Sequence, residues 1–257
     1  MPSPERGGGA PVTVVIAAHN EAANIEKCIA SVSWAAETIV VENDSSDDTV
    51  ARARTLGAKV ISPPFKTIGM ARNAGIEAAV NPWIFVIDAD ERCTPELARE
   101  LRGMLTSGPR HEAYKVPRSN IFLGGEIRHG GWERDKPVRF FSSNLRYDGK
   151  QVHEGVRPNG SVGVVRSSLT HYTYGTLDQY FEKFLRYSRW WAEQNFAKGR
   201  RASLASVLFR PPARFFSMYV LKSGWMDGGR GLVLASLAAA SVMAKYARLW
   251  AKTVESH

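Results

Sequence analysis

The sequence predicts an α/β protein with a doubly wound, mostly parallel sheet and a helical C-terminal region. Three observations predict it. Strand-like and helix-like segments alternate through the first hundred residues, and a polar cluster follows each of three strands. From Lys198 to His257 the chain is basic, helix-patterned and carries a long run of small and apolar residues. Alternation of this kind joins parallel strands through crossover helices and gathers ligands at the carboxyl ends of the strands.

Val12 to Ala18 is a short β-branched run, the type buried on both faces of a parallel sheet. Asn24 to Val32 has helical spacing through Ile25, Cys28, Ile29 and Val32. Thr38 to Val41 reads as the second strand, and Asp47-Asp48-Thr49 places acidic residues at the start of a second helix, where its dipole favours them. Lys59 to Ile61 is a short third strand ended by Pro63-Pro64. Gly69 to Val80 reads as a third helix, and past Pro82 the strand Trp83 to Ile87 runs into Asp88-Ala89-Asp90. Pro95 opens a helix reaching Leu105, in the first turn where a missing N–H is harmless. Ala113 to Thr173 changes to short β segments broken by glycines. Leu177 to Phe196 returns to helix, with Leu177, Phe181, Phe184, Ser188, Trp191 and Asn195 on one face. The expected organisation is a flexible tail over residues 1–10, an α/β domain over 11–175 and a helical region over 176–257.

With 44% apolar and 23% charged residues, the 257-residue chain is globular rather than disordered. Two isolated cysteines, Cys28 and Cys93, exclude a disulfide framework and point to a reducing, cytoplasmic setting. The start lacks the basic and apolar stretches of a signal peptide. The net charge of +9 is unevenly spread: Lys198 to His257 holds ten basic residues against Asp227 and Glu255, leaving 24 basic and 23 acidic elsewhere. A basic terminus on a nearly neutral body suits an anionic surface. Gly231 to Ala244 is a 14-residue small and apolar run, shorter than the ~20 residues of a membrane span. Beyond it Lys245, Arg248 and Lys252 share a helical face opposite Tyr246, Leu249 and Trp250, and Arg210 to Phe216 mixes basic and aromatic residues. The pattern suits helices at an anionic membrane surface; the alternative is a buried helical hairpin. Nucleic acid is not expected as a partner, because no recognised module appears and the apolar content is high.

The clusters His19-Asn20-Glu21, Glu42-Asn43-Asp44 and Asp88-Ala89-Asp90 each follow a strand. Paired carboxylates at a strand end suit a hard divalent cation, Mg²⁺ or Mn²⁺, shared with phosphate oxygens. A solvated loop that caps the helix at Pro95 is the alternative.

Four blocks in series carry a resemblance: Val14 to Glu21, Val40 to Thr49, Gly69 to Gly75 and Asp88 to Glu91. Together they resemble glycosyltransferase family 2, inverting enzymes of the glycosyltransferase A-type fold. The later Gly131-Trp132-Glu133, Arg139-Phe140-Phe141 and Gln151-Val152-His153-Glu154 resemble the branch that includes bacterial lipopolysaccharide core glycosyltransferases. The resemblance makes residues 11–175 the catalytic, nucleotide-sugar-binding domain and 176–257 a membrane-associating extension.

It implies that Ala18, Asn20 and Glu21 border the donor's base and ribose. Glu42 stands where the family usually has an aspartate that recognises uracil; the alternative is a helix cap. Arg72 would lie near the base or diphosphate, or be a surface arginine. Asn73 and Gly75 would shape their helix and its approach to the sheet. Asp90 would be the principal metal contact, with Asp88 and Ala89 lining the donor and Asp88 nearer the ribose. An inverting transfer needs a base for the acceptor hydroxyl; Glu154 is the candidate, with Glu133 and Asp135 as competitors. His153 could help with metal or diphosphate, Arg139 with phosphate, and Trp132 could stack on a sugar. The implied reaction moves a hexose from a UDP-linked donor to a lipid-linked glycan such as a core heptose, at the cytoplasmic face of the inner membrane. The alternatives are a sugar nucleotidyltransferase and a non-catalytic nucleotide-sugar binding protein. Against the first, Ala18-His19-Asn20-Glu21 lacks the Gly-rich basic loop expected after its first strand.

Overall fold

The computed structural model describes residues 9–148 and 155–255. The chain forms two compact units: one runs to Arg118 and adds Lys136–His171, and the other comprises Ser119–Asp135 and the chain from Tyr172 onward. In the first unit the expected alternation is present as β1 (Ala10–Ala18), α1 (Ile25–Ser31), β2 (Ala35–Glu42), α2 (Thr49–Thr55), β3 (Lys59–Ile61), α3 (Ile68–Glu77) and β4 (Trp83–Asp88). β5 (Glu91–Cys93) and α4 (Pro95–Ser107) follow. The parallel run is β3-β2-β1-β4. The glycine-broken stretch adds β9 (Val138–Ser142) antiparallel to β4, then β6 (Ala113–Lys115) and β10 (Val162–Val164), making seven strands. β5 pairs antiparallel with the start of β11 (Leu169–Tyr174), His171 standing opposite Glu91.

Both faces of the parallel run are covered, which is why its strands read as unbroken apolar runs. Val14, Ile16, Val40, Phe85 and Ile87 pack with Ile25 and Cys28 of α1 and Leu97 and Leu101 of α4. The alternating set Val15, Ile39, Val41, Ile84 and Val86 packs with Ala71 and Ile76 of α3. Thr67 and Thr94 cap α3 and α4, their hydroxyls accepting from the Met70 and Leu97 amides, and Pro95 sits in the first turn of α4. Gly75 lets α3 approach the sheet: a Cβ there would collide with Val15 and stand 2.9 Å from Val41 Cγ2. Asn73 ties the same helix to Tyr147, accepting from its amide at 2.8 Å and donating to its carbonyl at 3.1 Å.

The second unit contains most of β7 (Arg118–Phe122), its antiparallel partner β8 (Gly125–Ile127), α5 (Leu177–Ala197), α6 (Leu204–Phe216) and α7 (Gly228–Glu255). A π turn, Ser217–Leu221, and a 3-10 turn, Gly224–Asp227, join α6 to α7. The buried face of α5 is Tyr180, Ser188, Ala192 and Asn195, while Leu177 and Phe181 are exposed. The expected face is therefore shifted at its start, because Tyr180 turns inward and donates to the Leu237 carbonyl of α7 at 3.0 Å. α7 extends well beyond the 14-residue run: with the 3-10 turn it is long and apolar enough, by length and composition, to cross a membrane. Lys245, Arg248 and Lys252 are half-buried rather than presented outward, and Lys252 Nζ lies 5.9 Å from the Phe196 ring centroid.

Gly75→Ala should destabilise the protein by about 1–3 kcal/mol through overpacking. A urea titration should show an earlier midpoint with an unchanged slope.

Candidate active site

Strand register assembles the site. Ala18 stands opposite Glu42 across β1 and β2, and Ala17 opposite Asp88 across β1 and β4. Three strand ends thus open side by side. Ala18 is buried. Glu42 is nearly buried, and its Oε2 accepts from the Ser45 amide at 3.1 Å. The Ser62 hydroxyl, followed by that amide, holds its carboxyl below the usual carboxylate range against the opposing effect of burial.

The loops after β1 and β2 are stitched together. Asn20 adopts a left-handed conformation, φ 54°, which asparagine tolerates better than most residues. Its amide donates to Ser45 Oγ at 3.1 Å, and its Oδ1 accepts from the Ser46 amide at 2.8 Å. The Glu21 amide donates to Thr49 Oγ1 at 2.8 Å, and its carboxylate accepts from Asn24 Nδ2 at 2.8 Å. Asp47 accepts from the Ala22 amide at 3.0 Å, while His19 Nδ1 bonds the Asn43 carbonyl.

The two aspartates of Asp88-Ala89-Asp90 have different surroundings. Asp88 Oδ1 pairs with Arg72 Nη2 at 2.6 Å. Its Oδ2 pairs with Arg118 Nη2 at 3.2 Å and with Arg139. Burial alone would raise its pKa, but the guanidiniums of Arg139, Arg72 and Arg118 outweigh it and hold the carboxyl far below the usual range. Glu91, with no exposed side-chain surface, pairs with Arg118 Nε at 2.6 Å and Arg139 Nη2 at 3.5 Å. Its Oε2 accepts from the Asp88 amide at 2.7 Å. The Arg72 guanidinium also lies 5.2 Å from the Tyr147 ring centroid. Ala89 is buried, its carbonyl accepting from Arg92 Nη1 at 2.8 Å.

Asp90 has a different neighbour, His171. Its carboxylate is 19% exposed and lies 3.6 Å from His171 Nε2. Among the described residues no group of three or more His, Cys, Asp and Glu is arranged to hold a metal ion. The Asp90–His171 pair offers one oxygen and one nitrogen, which fits an ion whose remaining positions are filled by substrate oxygens and water.

Ala18, Glu42, Arg72, Asp88, Ala89, Asp90 and Arg139 therefore gather at or beside adjoining strand ends, while Asn20 and Glu21 knit the loops above them. Glu154 and His153 lie outside the described residues. Trp132 and Glu133 belong to the second unit. There Trp132 packs beside Phe122, Ile127 and Met218, and Glu133 accepts from the Gly131 amide at 2.9 Å. Sequence reasoning missed Arg118, Glu91 and His171. No local pattern marks the first two, because the burial of Glu91 and its pairing with Arg118 arise only on packing.

An α/β sheet with an acidic strand end is the arrangement that the family resemblance implies. The chain belongs to glycosyl transferase family 2, whose model matches residues 13–162. It is 29% identical over 252 residues to the lipopolysaccharide core biosynthesis glycosyltransferase LpsC of Rhizobium meliloti, covering 92% of this chain and 93% of that one. An uncharacterised glycosyltransferase of Rickettsia prowazekii is 28% identical over 75% of this chain and 70% of its own length. Among solved structures, the chain is similar to glucosyl-3-phosphoglycerate synthase from Mycobacterium tuberculosis in complex with Mg²⁺ and UDP. That match has a TM-score of 0.38 and 31% identity, and covers 43% of this chain and 44% of that one, less than half its length. Another structure of that enzyme, with Mn²⁺, UDP and glucosyl-3-phosphoglycerate, matches at a TM-score of 0.47 and 22% identity, over 66% of this chain and 75% of that one.

Arg139→Ala should destabilise the protein by about 3–5 kcal/mol in chemical denaturation, since it strips a partner from buried Glu91 and from Asp88. Asp88 also makes stability depend on acidity. Its folded pKa lies below the unfolded value of about 3.9, so its contribution is complete above that value and is lost as pH falls toward the folded pKa. Asp88→Asn should flatten the loss of melting temperature between about pH 5 and pH 3; an unchanged slope would contradict the ion-pair assignment.

Proposed function

We propose that the protein is an inverting hexosyltransferase. It moves a sugar from a UDP-linked donor to a lipid-linked glycan of the lipopolysaccharide core, at the cytoplasmic face of the inner membrane and as a peripheral protein. Family membership and the nearly full-length similarity to LpsC support the reaction class and the acceptor. One observation carries the site assignment: three arginines occupy Asp88, while Asp90 sits beside His171.

Asp90 and His171 would hold a divalent ion, Mg²⁺ or Mn²⁺. Such an ion, when bound, neutralises charge developing on a departing nucleoside diphosphate. Glu42, kept ionised by Ser62 and Ser45, offers an acceptor for a base N–H. Ala18, Asn20 and Glu21 border the base and ribose, with Asn20 and Glu21 held in place by Ser45, Ser46 and Thr49. Arg72, at the edge of the cluster, orients Asp88 toward the donor. Arg139 is too buried to reach the donor itself and acts through Asp88 and Glu91. The resemblance supports Glu154 as the base that takes the acceptor's hydroxyl proton, with His153 beside the diphosphate.

UDP release from a UDP-hexose, supplied with extracted lipid-linked glycan, should require a divalent cation. Asp90→Ala should lower turnover by roughly 10²–10³-fold with its melting temperature preserved. Cation-independent turnover that survives Asp90→Ala would overturn the mechanism, and mass spectrometry of glycans from cells lacking the protein should show the loss of one hexose.

A further inference from the structure

We propose that the outward face of α6, together with the turn joining it to α7, docks in the headgroup region of an anionic bilayer. The inference deepens the membrane-surface reading above and rests on it for the class of partner. Ser203 caps α6, and at 100° per residue Leu204, Ala205, Leu208, Phe209, Pro212, Ala213 and Phe216 form one broad face without a charge. All seven are exposed, Leu208 and Phe209 each at 66%. Pro211, buried, and Phe215, half-buried, flank Leu204 at one edge of this face, and Arg210 and Arg214 lie on the opposite side. The exposed stripe continues through Val220, Leu221, Trp225 and Met226 in the turns. So long a row of exposed large apolar side chains marks an interaction surface rather than scattered surface residues.

Charge selects the occupant. Residues 200–230 hold Arg200, Arg201, Arg210, Arg214, Lys222 and Arg230 against Asp227 alone. Asp227 is already engaged, accepting from the amides of Arg128 and His129 and from His129 Nδ1. Two copies meeting here would bring these basic segments together, whereas phosphate headgroups complement them. Pro211 and Pro212 place the helix at the interface instead of in hydrocarbon. Lacking N–H groups, they leave the Val207 and Leu208 carbonyls without helical donors, and the hydrated headgroup zone readily supplies water to such groups.

The test is flotation of the full-length protein, without donor, on vesicles of phosphatidylcholine alone and of phosphatidylcholine mixed with phosphatidylglycerol. The protein should float with the mixed vesicles, less so at high salt, and poorly with phosphatidylcholine alone. The double variant Leu208→Glu, Phe209→Glu should lose about tenfold or more in partitioning. Both side chains are exposed, so its melting temperature and its UDP release should match the parent. Undiminished binding by the variant would overturn the proposal. So would a dimer in light scattering that the variant abolishes, or attachment to cell membranes that resists alkaline carbonate, which indicates a span. Because flotation uses no donor and UDP release needs no vesicle, failure of either reading shows in its own assay.

Discussion

A carboxylate with no exposed side-chain surface needs hydrogen-bonding and charged partners, and Glu91 imposes that requirement on everything around it. Arg118 and Arg139 meet it, and each reaches on to Asp88, which Arg72 closes from α3. Oε2 of Glu91 also holds the Asp88 amide, so the buried charge fixes backbone and side chain together. The first aspartate becomes a wall fixed by three ion pairs. The second, beyond the turn, is the carboxylate whose surroundings suit a cation. One buried residue thus gives two chemically identical side chains different surroundings.

The rigidity extends to the neighbouring strand ends. Register puts Ala18, Glu42 and Asp88 at one edge, and the loops leaving that edge are bonded mainly to each other. Left-handed backbone at Asn20 and Asp44 is held by these cross-links and by residue types that tolerate it. A donor entering such a site need not order the loops, so less binding energy is spent on conformational entropy. The glycine at position 75 serves the same end by letting α3, which bears Arg72, lie close against Val15 and Val41.

The parallel half of the sheet was legible because burial on both faces leaves continuous β-branched runs, and because Pro and acidic residues mark the helix boundaries. Asp88-Ala89-Asp90, Glu42 and Arg72 were legible because each sits in a block of the family pattern. Arg118 and His171 were not. They come from short segments in the glycine-broken stretch, and only the pairing of β11 with β5 brings His171 opposite Glu91. Ion pairs across 27 residues or more, such as Arg118 with Glu91, leave no periodic trace. Glu91 itself read as one more charged residue in a polar turn, since burial is a property of the packed sheet.

The helical unit shows the same limit in another form. A helical wheel separates apolar from basic faces, and on that basis Lys245, Arg248 and Lys252 of α7 read as the surface-seeking stripe. Packing decides otherwise. Those residues are half-buried, with Lys252 over Phe196, and Arg210 of α6 stacks 4.6 Å from the centroid of Tyr246 on α7. α6 is apolar around most of its circumference, and a neighbouring helix can cover only part of it. What stays uncovered, from Leu204 to Phe216 and on to Met226, is therefore set by which side of α6 is buried. Hydrophobic periodicity tells where a helix can be buried; the residue left exposed after packing tells what it meets.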